Sequence, residues 1–215
     1  MKQSTIVSYC KGCKLGLKKH TQTHDYDGFI KGWYFKDTSL CDKIINWFEE
    51  YEDTHDQETI GINFGFKDST DIQLDFNQTL YQEYMEQLKQ VTESYLEQFP
   101  SANAYDPFGV LDATNIQRYT PSQGFHSWHT ERRSAKMPGA TRHLVFMTYL
   151  NDIADEGETE WKHQGIKVKP EKGLTVIWPA DWTYTHKGIP SHTETKYIAT
   201  GWYNFFIEGE ESNGN

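Results

Sequence analysis

The segment that best defines the fold is KYIATGWYNFF, at residues 196–206. β-Branched and aromatic residues dominate it, which is typical of a β-strand. Because side chains alternate across a strand, every second residue shares one face. One face carries Lys196, Ile198, Thr200 and Trp202. If that face lines the interior of a barrel, the Lys196 ammonium needs an anionic partner, since an unpaired buried charge is costly. The alternative is that Lys196 extends from the strand start into water.

Similar short apolar runs fill the chain between Pro100 and this segment. Gly, Pro, Asn and Asp residues lie at the ends of each run, and short runs bounded by such turn-forming residues are typical of a β-sandwich or β-barrel. The predicted strands are Gly109–Tyr119, His143–Leu150, Gly165–Val168, Leu174–Trp178, Thr183–His186 and Lys196–Phe206. We therefore expect an antiparallel β-core in the second half of the chain.

The first half shows helical periodicity instead. Apolar residues recur at helical spacing up to about Asp53, and Thr38 or Ser39 is a suitable cap for the start of that helix. A second helix is predicted over Leu80–Phe99, where Pro100 ends it. The sequence thus predicts a mainly β fold in which two flanking helices support the β-core.

The length of 215 residues suits a single domain. We expect residues 1–215 to form one unit. Within it, residues 1–100 are a largely helical N-terminal support region, 101–207 are the β-core with the active site, and 208–215 are an acidic tail.

Composition narrows the classes of protein that fit. An aromatic fraction of 15% argues against disorder, and a net charge of −10 argues against a broad nucleic-acid-binding surface. The chain lacks the run of roughly 20 apolar residues that a membrane span needs, and its first residues lack the apolar run of a signal peptide. Three cysteines do not suggest a disulfide framework. We therefore expect a soluble cytoplasmic protein, in the cytoplasm of the host cell if it is viral, with no membrane partner.

A candidate metal site begins at His129 and Glu131. Residues i and i+2 of a strand point to the same side, so these two side chains can converge on one point. His186 is the candidate third ligand, from another strand. Two imidazoles and one carboxylate on one face leave three coordination positions open, which is the arrangement of non-haem iron(II) oxygenases. Taken alone, the His-x-Glu pattern also fits two polar residues at a solvated strand end.

Further motifs lie on both sides of this candidate site, among them Gln117–Tyr119, Tyr149–Asp152 and Trp178–Ala180. Their order and spacing relative to Trp128–Glu131 and His186–Gly188 resemble those of the prolyl 4-hydroxylase-like oxygenases. The resemblance spans about residues 107–206, roughly half the chain, and Lys196 follows His186 by ten residues, where that family places a basic residue. Trp202 follows six residues later, also as in the family. The segments that carry the resemblance are Gln117–Tyr119, Gly124, Trp128–Glu131, Tyr149–Asp152, Gly157–Trp161, Lys172–Gly173, Trp178–Ala180 and His186–Gly188.

This resemblance implies a double-stranded β-helix, or jelly roll, and a procollagen-proline dioxygenase-like activity on a prolyl residue of a peptide or protein. It implies Fe(II) bound by His129, Glu131 and His186, with 2-oxoglutarate as cosubstrate, succinate and CO2 as products, and ascorbate as a possible reductant. Lys196 would bind the far carboxylate of 2-oxoglutarate. The residues that complete the cosubstrate pocket would be Tyr149, Thr200, Tyr119 and Trp202.

The sequence departs from the family pattern at three places. The carboxylate ligand is usually Asp, whereas Glu131 is one methylene longer, as in some phage-type members of the family. The middle motif usually has two glycines, and here it reads Glu156-Gly157. Lys196 replaces the commoner Arg and would bind a carboxylate as a point charge instead of a fork.

Other readings stay open at this stage. The same cofactors could act on another amino-acid side chain or on an alkylated nucleobase, although the acidic net charge disfavours nucleic acid. A non-catalytic cupin-like barrel would not need the cosubstrate set that includes Lys196. Cys10 and Cys13, with His20 and His24, suggest zinc, but the gap is short for a zinc finger and free thiols are favoured.

Overall fold

The computed structural model describes residues 17–19, 28–54 and 66–207. The candidate zinc residues Cys10, Cys13, His20 and His24, and the acidic tail 208–215, lie outside the described residues. The two helices are α1 (Ser39–Thr54) and α2 (Thr79–Gln98). The strands are β1 (Lys31–Tyr34), β2 (Thr70–Leu74), β3 (Phe108–Val110), β4 (Thr114–Tyr119), β5 (Arg142–Tyr149), β6 (Thr159–Trp161), β7 (Ile166–Val168), β8 (Leu174–Pro179), β9 (His186–Gly188) and β10 (Lys196–Phe205).

Both helices are placed by their apolar faces, within a residue of the predicted bounds. The buried face of α2 includes Tyr84, Leu88 and Val91, which recur at helical spacing. At the start of α1, Asp37 accepts hydrogen bonds from the backbone and hydroxyl of Ser39, at 3.0 and 2.5 Å. The side-chain oxygen at this helix start is therefore that of Asp37, and not of the predicted Thr38 or Ser39.

The strands form a large and a small antiparallel sheet. The large sheet has the order β1-β8-β5-β10-β4-β2, and β3 also pairs with β10. The small sheet has the order β7-β6-β9. Together with the structural neighbours reported below, the two sheets confirm the predicted jelly-roll core with flanking helices. The sequence prediction missed β1, β2 and β6, and the first two of these add strands from the N-terminal support region to the large sheet.

The large sheet separates two apolar clusters. The first joins one face of the sheet to α1 and α2, and it includes Ala199 and Tyr203 of β10. The second lies between the two sheets and includes Ile198, Val145 of β5 and Trp161 of β6. Lys196, Ile198, Thr200 and Trp202 share one face of β10, as the sequence predicts, and in the structure that face is directed towards the small sheet. No helix among the described residues has the length and apolar character needed to cross a membrane.

Gly201 is required by a close approach inside the first cluster. It lies opposite Phe146 on the neighbouring strand, and a Cβ atom at this position would collide with the Phe146 ring. That ring is fully buried between Tyr84 and Tyr203, so it has little room to move. We expect Gly201→Ala to lower the free energy of unfolding by about 1–3 kcal/mol, the usual cost of overpacking a core.

Urea denaturation measures this effect. Gly139→Ala is the matched control, because the nearest atom to a Cβ there is 3.9 Å away. Equal stability of the two variants would show that the core around Phe146 can relax.

Candidate active site

A cavity of about 250 Å³ opens between the two sheets. Most of the residues predicted to form the site line it, together with side chains from β4, β5, β8 and β10. The predicted residues in the lining are Tyr119, His129, Glu131, His186, Lys196, Thr200 and Trp202. Tyr149 is the one predicted site residue that does not line this cavity.

His129 and His186 are brought together by the backbone. Each donates its backbone N–H to the carbonyl oxygen of the other, and both distances are 2.9 Å. Such reciprocal bonds are those of a directly opposed antiparallel pair, whose side chains emerge on the same side. His129 lies outside the named strands, so this bridge is what attaches it to the edge of the small sheet at β9.

The three predicted ligand atoms converge on one point. Glu131 Oε1 lies 3.3 Å from His129 Nε2 and 3.4 Å from His186 Nε2, and all three atoms lie within 4.8 Å of one another. Ligand atoms at right angles around a metal, each about 2.1 Å from it, are separated by about 3 Å. The spacing therefore fits a divalent metal ion.

The outward ring nitrogens of both histidines are fixed by main-chain carbonyls. His129 Nδ1 is 3.1 Å from the Ser127 oxygen, and His186 Nδ1 is 2.9 Å from the Tyr184 oxygen. A carbonyl oxygen only accepts, so each Nδ1 must carry the proton and donate it. In the neutral ring, Nε2 then presents its lone pair to the centre, which is the tautomer that a metal ligand needs.

The charge state of the triad also fits a cation. Burial lowers the pKa of His129 and so favours its neutral form. Burial opposes ionisation of Glu131, but hydrogen bonds donated to its second oxygen by Trp202 and Arg142 favour the carboxylate form. Two imidazole lone pairs and a carboxylate oxygen thus meet at one point, and a positive ion is the partner that this donor set requires.

Aromatic rings hold the two imidazoles in place. Phe125 stacks on His129 with centroids 3.6 Å apart and an interplanar angle of 12°. Trp178 approaches His186 edge-on, with centroids 5.1 Å apart. Because both rings are packed in this way, neither imidazole can turn away from the centre without disturbing the wall of the cavity.

The second carboxylate oxygen of Glu131, Oε2, points away from the two imidazoles. Trp202 Nε1 donates to Glu131 Oε2 at 2.9 Å, and Arg142 Nη1 donates to the same oxygen at 3.2 Å. Trp202 was predicted to line the cosubstrate pocket, and its polar atom is bonded to Glu131. Arg142 was not predicted to take part in the site.

Lys196 lies inside the barrel with no carboxylate partner in the described part of the chain. Its side chain is 4% exposed, and its ammonium donates to the carbonyl oxygens of Gly157 and Ile189, at 2.9 and 3.2 Å. Burial lowers the pKa of Lys196 to about 8. One N–H of the ammonium remains available, so the cavity end at Lys196 fits the carboxylate of a ligand.

The hydroxyls predicted beside Lys196 are arranged differently from the expectation. Tyr149 is fully buried, and its hydroxyl lies 2.8 Å from Thr159 Oγ1 and 3.1 Å from the Val168 carbonyl oxygen. Thr159, which the sequence analysis missed, lines the cavity in its place. Thr200 lines the cavity but donates its hydroxyl to the Phe146 carbonyl oxygen at 3.0 Å.

A polar wall on β4 was also missed. Asn115 and Gln117 line the cavity beside Tyr119, whose hydroxyl donates to Gln117 Oε1 at 2.6 Å. Asn115 and Gln117 both donate to Asp71 of β2, at 2.9 and 3.2 Å. Alternation along β4 puts the three β4 residues on one face, so strand periodicity contained the signal for this wall.

Comparison with known proteins gives one family match. Residues 114–204 match the model of the 2OG-Fe(II) oxygenase superfamily. That range contains the three converging ligand atoms and Lys196. A search of curated proteins gives no significant match to this sequence.

Solved structures share the fold at low sequence identity. A viral collagen prolyl hydroxylase from Paramecium bursaria Chlorella virus-1, in complex with 2-oxoglutarate, is 18% identical with a TM-score of 0.65, covering 83% of this chain and 97% of its own. A Pseudomonas putida prolyl-4-hydroxylase is 16% identical with a TM-score of 0.64, covering 83% and 93%. A Trichoplax adhaerens prolyl hydroxylase, in complex with a peptide fragment of hypoxia inducible factor, is 14% identical with a TM-score of 0.61, covering 80% and 81%.

Proposed function

Because residues 114–204 match the model of the 2OG-Fe(II) oxygenase superfamily, whose cofactors are Fe(II) and 2-oxoglutarate, we propose that this chain is such an oxygenase and hydroxylates a prolyl residue in a peptide or protein. The oxidoreductase class follows from the family, and the prolyl substrate is our proposal. The observation that carries the proposal is the convergence of His129, Glu131 and His186 at the floor of a cavity that also contains Lys196.

We assign the metal to His129, Glu131 and His186. Support comes from the spacing of 3.3 and 3.4 Å, and from the carbonyl bonds that orient both imidazoles. Three protein ligands leave positions for 2-oxoglutarate and O2. When bound, the Fe(II) supplies the oxidising chemistry in which O2 and 2-oxoglutarate yield succinate, CO2 and one hydroxylated C–H bond of the substrate.

Lys196 is assigned to the far carboxylate of 2-oxoglutarate. A buried ammonium that bonds only two carbonyls lacks a counter-ion, and the dianion supplies one. Thr159, held by Tyr149, and Tyr119 flank this end of the cavity. Their role is to enclose the dianion and exclude water, which strengthens its attraction to Lys196.

A peptide substrate is supported by the surface beside the metal centre. Trp128 precedes His129 in the chain and is 38% exposed, with Lys187 Nζ 4.6 Å from its ring centroid. Trp182, four residues before His186, is 67% exposed. Proline-rich segments dock on exposed aromatic surfaces of this kind. The neighbours that act on collagen or bind a peptide fragment are consistent with such a substrate.

The test is succinate release by the Fe(II)-loaded protein against a panel of proline-containing peptides. We expect release above the peptide-free level, with product peptides heavier by one oxygen atom, and no product when alanine replaces the proline. A metal chelator should abolish the reaction. Stimulation by an alkylated oligonucleotide, and by none of the peptides, would replace the prolyl substrate with a nucleobase.

Glu131→Asp is expected to lower Fe(II) loading, although Asp is the usual residue of the family. The change withdraws the carboxylate by about 1.5 Å, the length of one carbon–carbon bond. Metal–oxygen distances tolerate errors of only about 0.2 Å. The shorter aspartate carboxylate could also contact either the metal or the donors on Trp202 and Arg142, but not both.

An Fe(II) titration followed by a turnover assay measures the effect. Glu160→Asp, on β6, is the matched control for shortening a glutamate in the same part of the fold. Equal or higher activity in Glu131→Asp would show that the backbone is spaced for Asp.

A further inference from the structure

The two oxygens of the Glu131 carboxylate have separate environments. Oε1 faces the two imidazoles, whereas Oε2 accepts hydrogen bonds from Trp202 and Arg142. The Glu131 side chain is 13% exposed and that of Arg142 is 19% exposed, so these bonds are largely screened from water. Hydrogen bonds to a charged group in such surroundings are strong and directional.

Arg142 is itself held in position by two further contacts. Its guanidinium lies 3.6 Å from the centroid of the Trp202 ring, close enough for a stacked cation–π contact. Its Nη1 also donates to the backbone carbonyl oxygen of Glu131 at 3.1 Å. Arg142 thus contacts the main chain and the carboxylate of Glu131, and it also contacts Trp202, the other residue that donates to this carboxylate.

We propose that Arg142 and Trp202 are positioning residues that restrict Glu131 to a single oxygen donor towards the metal. A carboxylate can bind a metal through one or both oxygens, and a second oxygen would occupy a position that the cosubstrate or O2 needs. Glu has one more rotatable bond than Asp, so it requires more restraint. The inference rests on the metal site assigned under the proposed function, and it explains how a glutamate serves where the family uses aspartate.

Metal titration of the full-length protein tests this without reference to turnover. Co(II) is added alone, and its visible absorption spectrum reports the coordination geometry of the bound ion. We expect the dissociation constant to rise about 10–100-fold in Arg142→Gln, the usual effect of losing a partner of a metal ligand. Trp202→Phe, which removes the N–H donor together with the five-membered ring but keeps an aromatic side chain, should raise it about tenfold. Both variants should change the Co(II) spectrum.

The Arg142→Lys variant tests whether the geometry of the Arg142 guanidinium is needed or only its positive charge. Lysine keeps the positive charge but lacks the planar group that stacks on Trp202 and donates to both the backbone carbonyl oxygen and Oε2 of Glu131. We expect Arg142→Lys to bind Co(II) about as weakly as Arg142→Gln. Binding equal to the unmodified protein in Arg142→Lys would show that charge alone matters, and would overturn the positioning role.

Two controls make the outcomes distinguishable. Arg118→Gln removes an arginine that pairs with Glu49 at 3.2 Å, away from the cavity, and should leave Co(II) binding unchanged. Glu131→Ala should lose Co(II) binding. If Glu131→Ala binds as tightly as the unmodified protein, the assigned metal site is wrong. If it loses binding while Arg142→Gln and Trp202→Phe bind normally with unchanged spectra, only the positioning role is wrong.

Discussion

His186→Ala is expected to abolish Fe(II) binding and to reduce succinate release to the level measured without enzyme. On the proposed assignment His186 supplies one of three ligand atoms, and the remaining two, from His129 and Glu131, cannot complete the centre. The backbone pairing with His129 uses main-chain atoms that alanine retains, so the variant removes the ligand alone. A metal site with a ligand removed loses both affinity and geometry. Calorimetric titration of the metal-free protein with Fe(II) under anaerobic conditions, followed by the succinate assay, measures both losses.

The matched control for this change is His163→Ala. His163 is exposed in the turn between β6 and β7, and it contacts only the ring of Trp182, at 6.0 Å, among the ring contacts of the described residues. The His163→Ala variant should retain Fe(II) binding. Normal turnover in His186→Ala would remove His186 from the metal centre.

Lys196→Ala is expected to raise the KM for 2-oxoglutarate by about 10–150-fold, because a lost charged hydrogen bond costs roughly 1.5–3 kcal/mol. Fe(II) binding should be unchanged, since Lys196 contacts the carbonyls of Gly157 and Ile189 and none of the metal-ligand side chains. Lys167→Ala, an exposed lysine of β7, is the control. An unchanged KM in Lys196→Ala would mean that the cosubstrate binds elsewhere.

The affinity for 2-oxoglutarate should also depend on pH in a direction fixed by Lys196. Burial lowers the pKa of its ammonium to about 8 in the free protein, and the bound dianion favours the charged form. Affinity should therefore be constant below pH 8 and fall as the pH rises above it, by up to about tenfold per pH unit. Lys196→Arg should abolish this dependence, because arginine stays protonated.

Periodicity in the sequence predicted much of the fold, and the three residues proposed as metal ligands lie close together in the structure. Both helices and five of the six predicted strand regions follow from the spacing of apolar residues, whereas most of the predicted strand Thr183–His186 is a 3-10 turn at Trp182–Tyr184 that precedes β9. Alternation along 196–206 put Lys196 on one face with Ile198, Thr200 and Trp202, and of the two alternatives left open for Lys196 the structure shows the buried one. The short strand β6 escaped prediction because Thr159–Trp161 contains a single apolar residue and so forms no apolar run. The strands β1 and β2 lie in the polar first third of the chain, where tertiary pairing with β8 and β4 overrides weak local signals.

Arg142 shows why other residues of the candidate site could not be predicted from the sequence. Strict alternation would place it on the same face as Leu144, which packs in the cluster on the helix side. The pairing of β5 with β10 shifts register between Tyr203 and Asn204, so His143 is skipped and Arg142 reaches the cavity. A bulge of this kind depends on the contact between two distant strands, and it leaves no local mark in the sequence.

The position of the Tyr149 hydroxyl could not be predicted for a related reason. Tyr149 packs in the cluster between the two sheets, on the same side of the large sheet as the cavity. Its hydroxyl, however, extends past the cavity to Thr159 and Val168 on the small sheet. Which polar atom a long side chain reaches depends on the distance between the two sheets, and sequence periodicity does not encode that distance.

The carbonyl bonds that orient His129 and His186 have a consequence for how this protein can diverge. Each imidazole is bonded to the main chain two residues earlier, at Ser127 and Tyr184, and every amino acid offers that same carbonyl. Mutation can therefore alter the side chains at these two positions without changing which nitrogen faces the metal. The sequence around the two histidines can therefore change while both imidazoles keep their orientation.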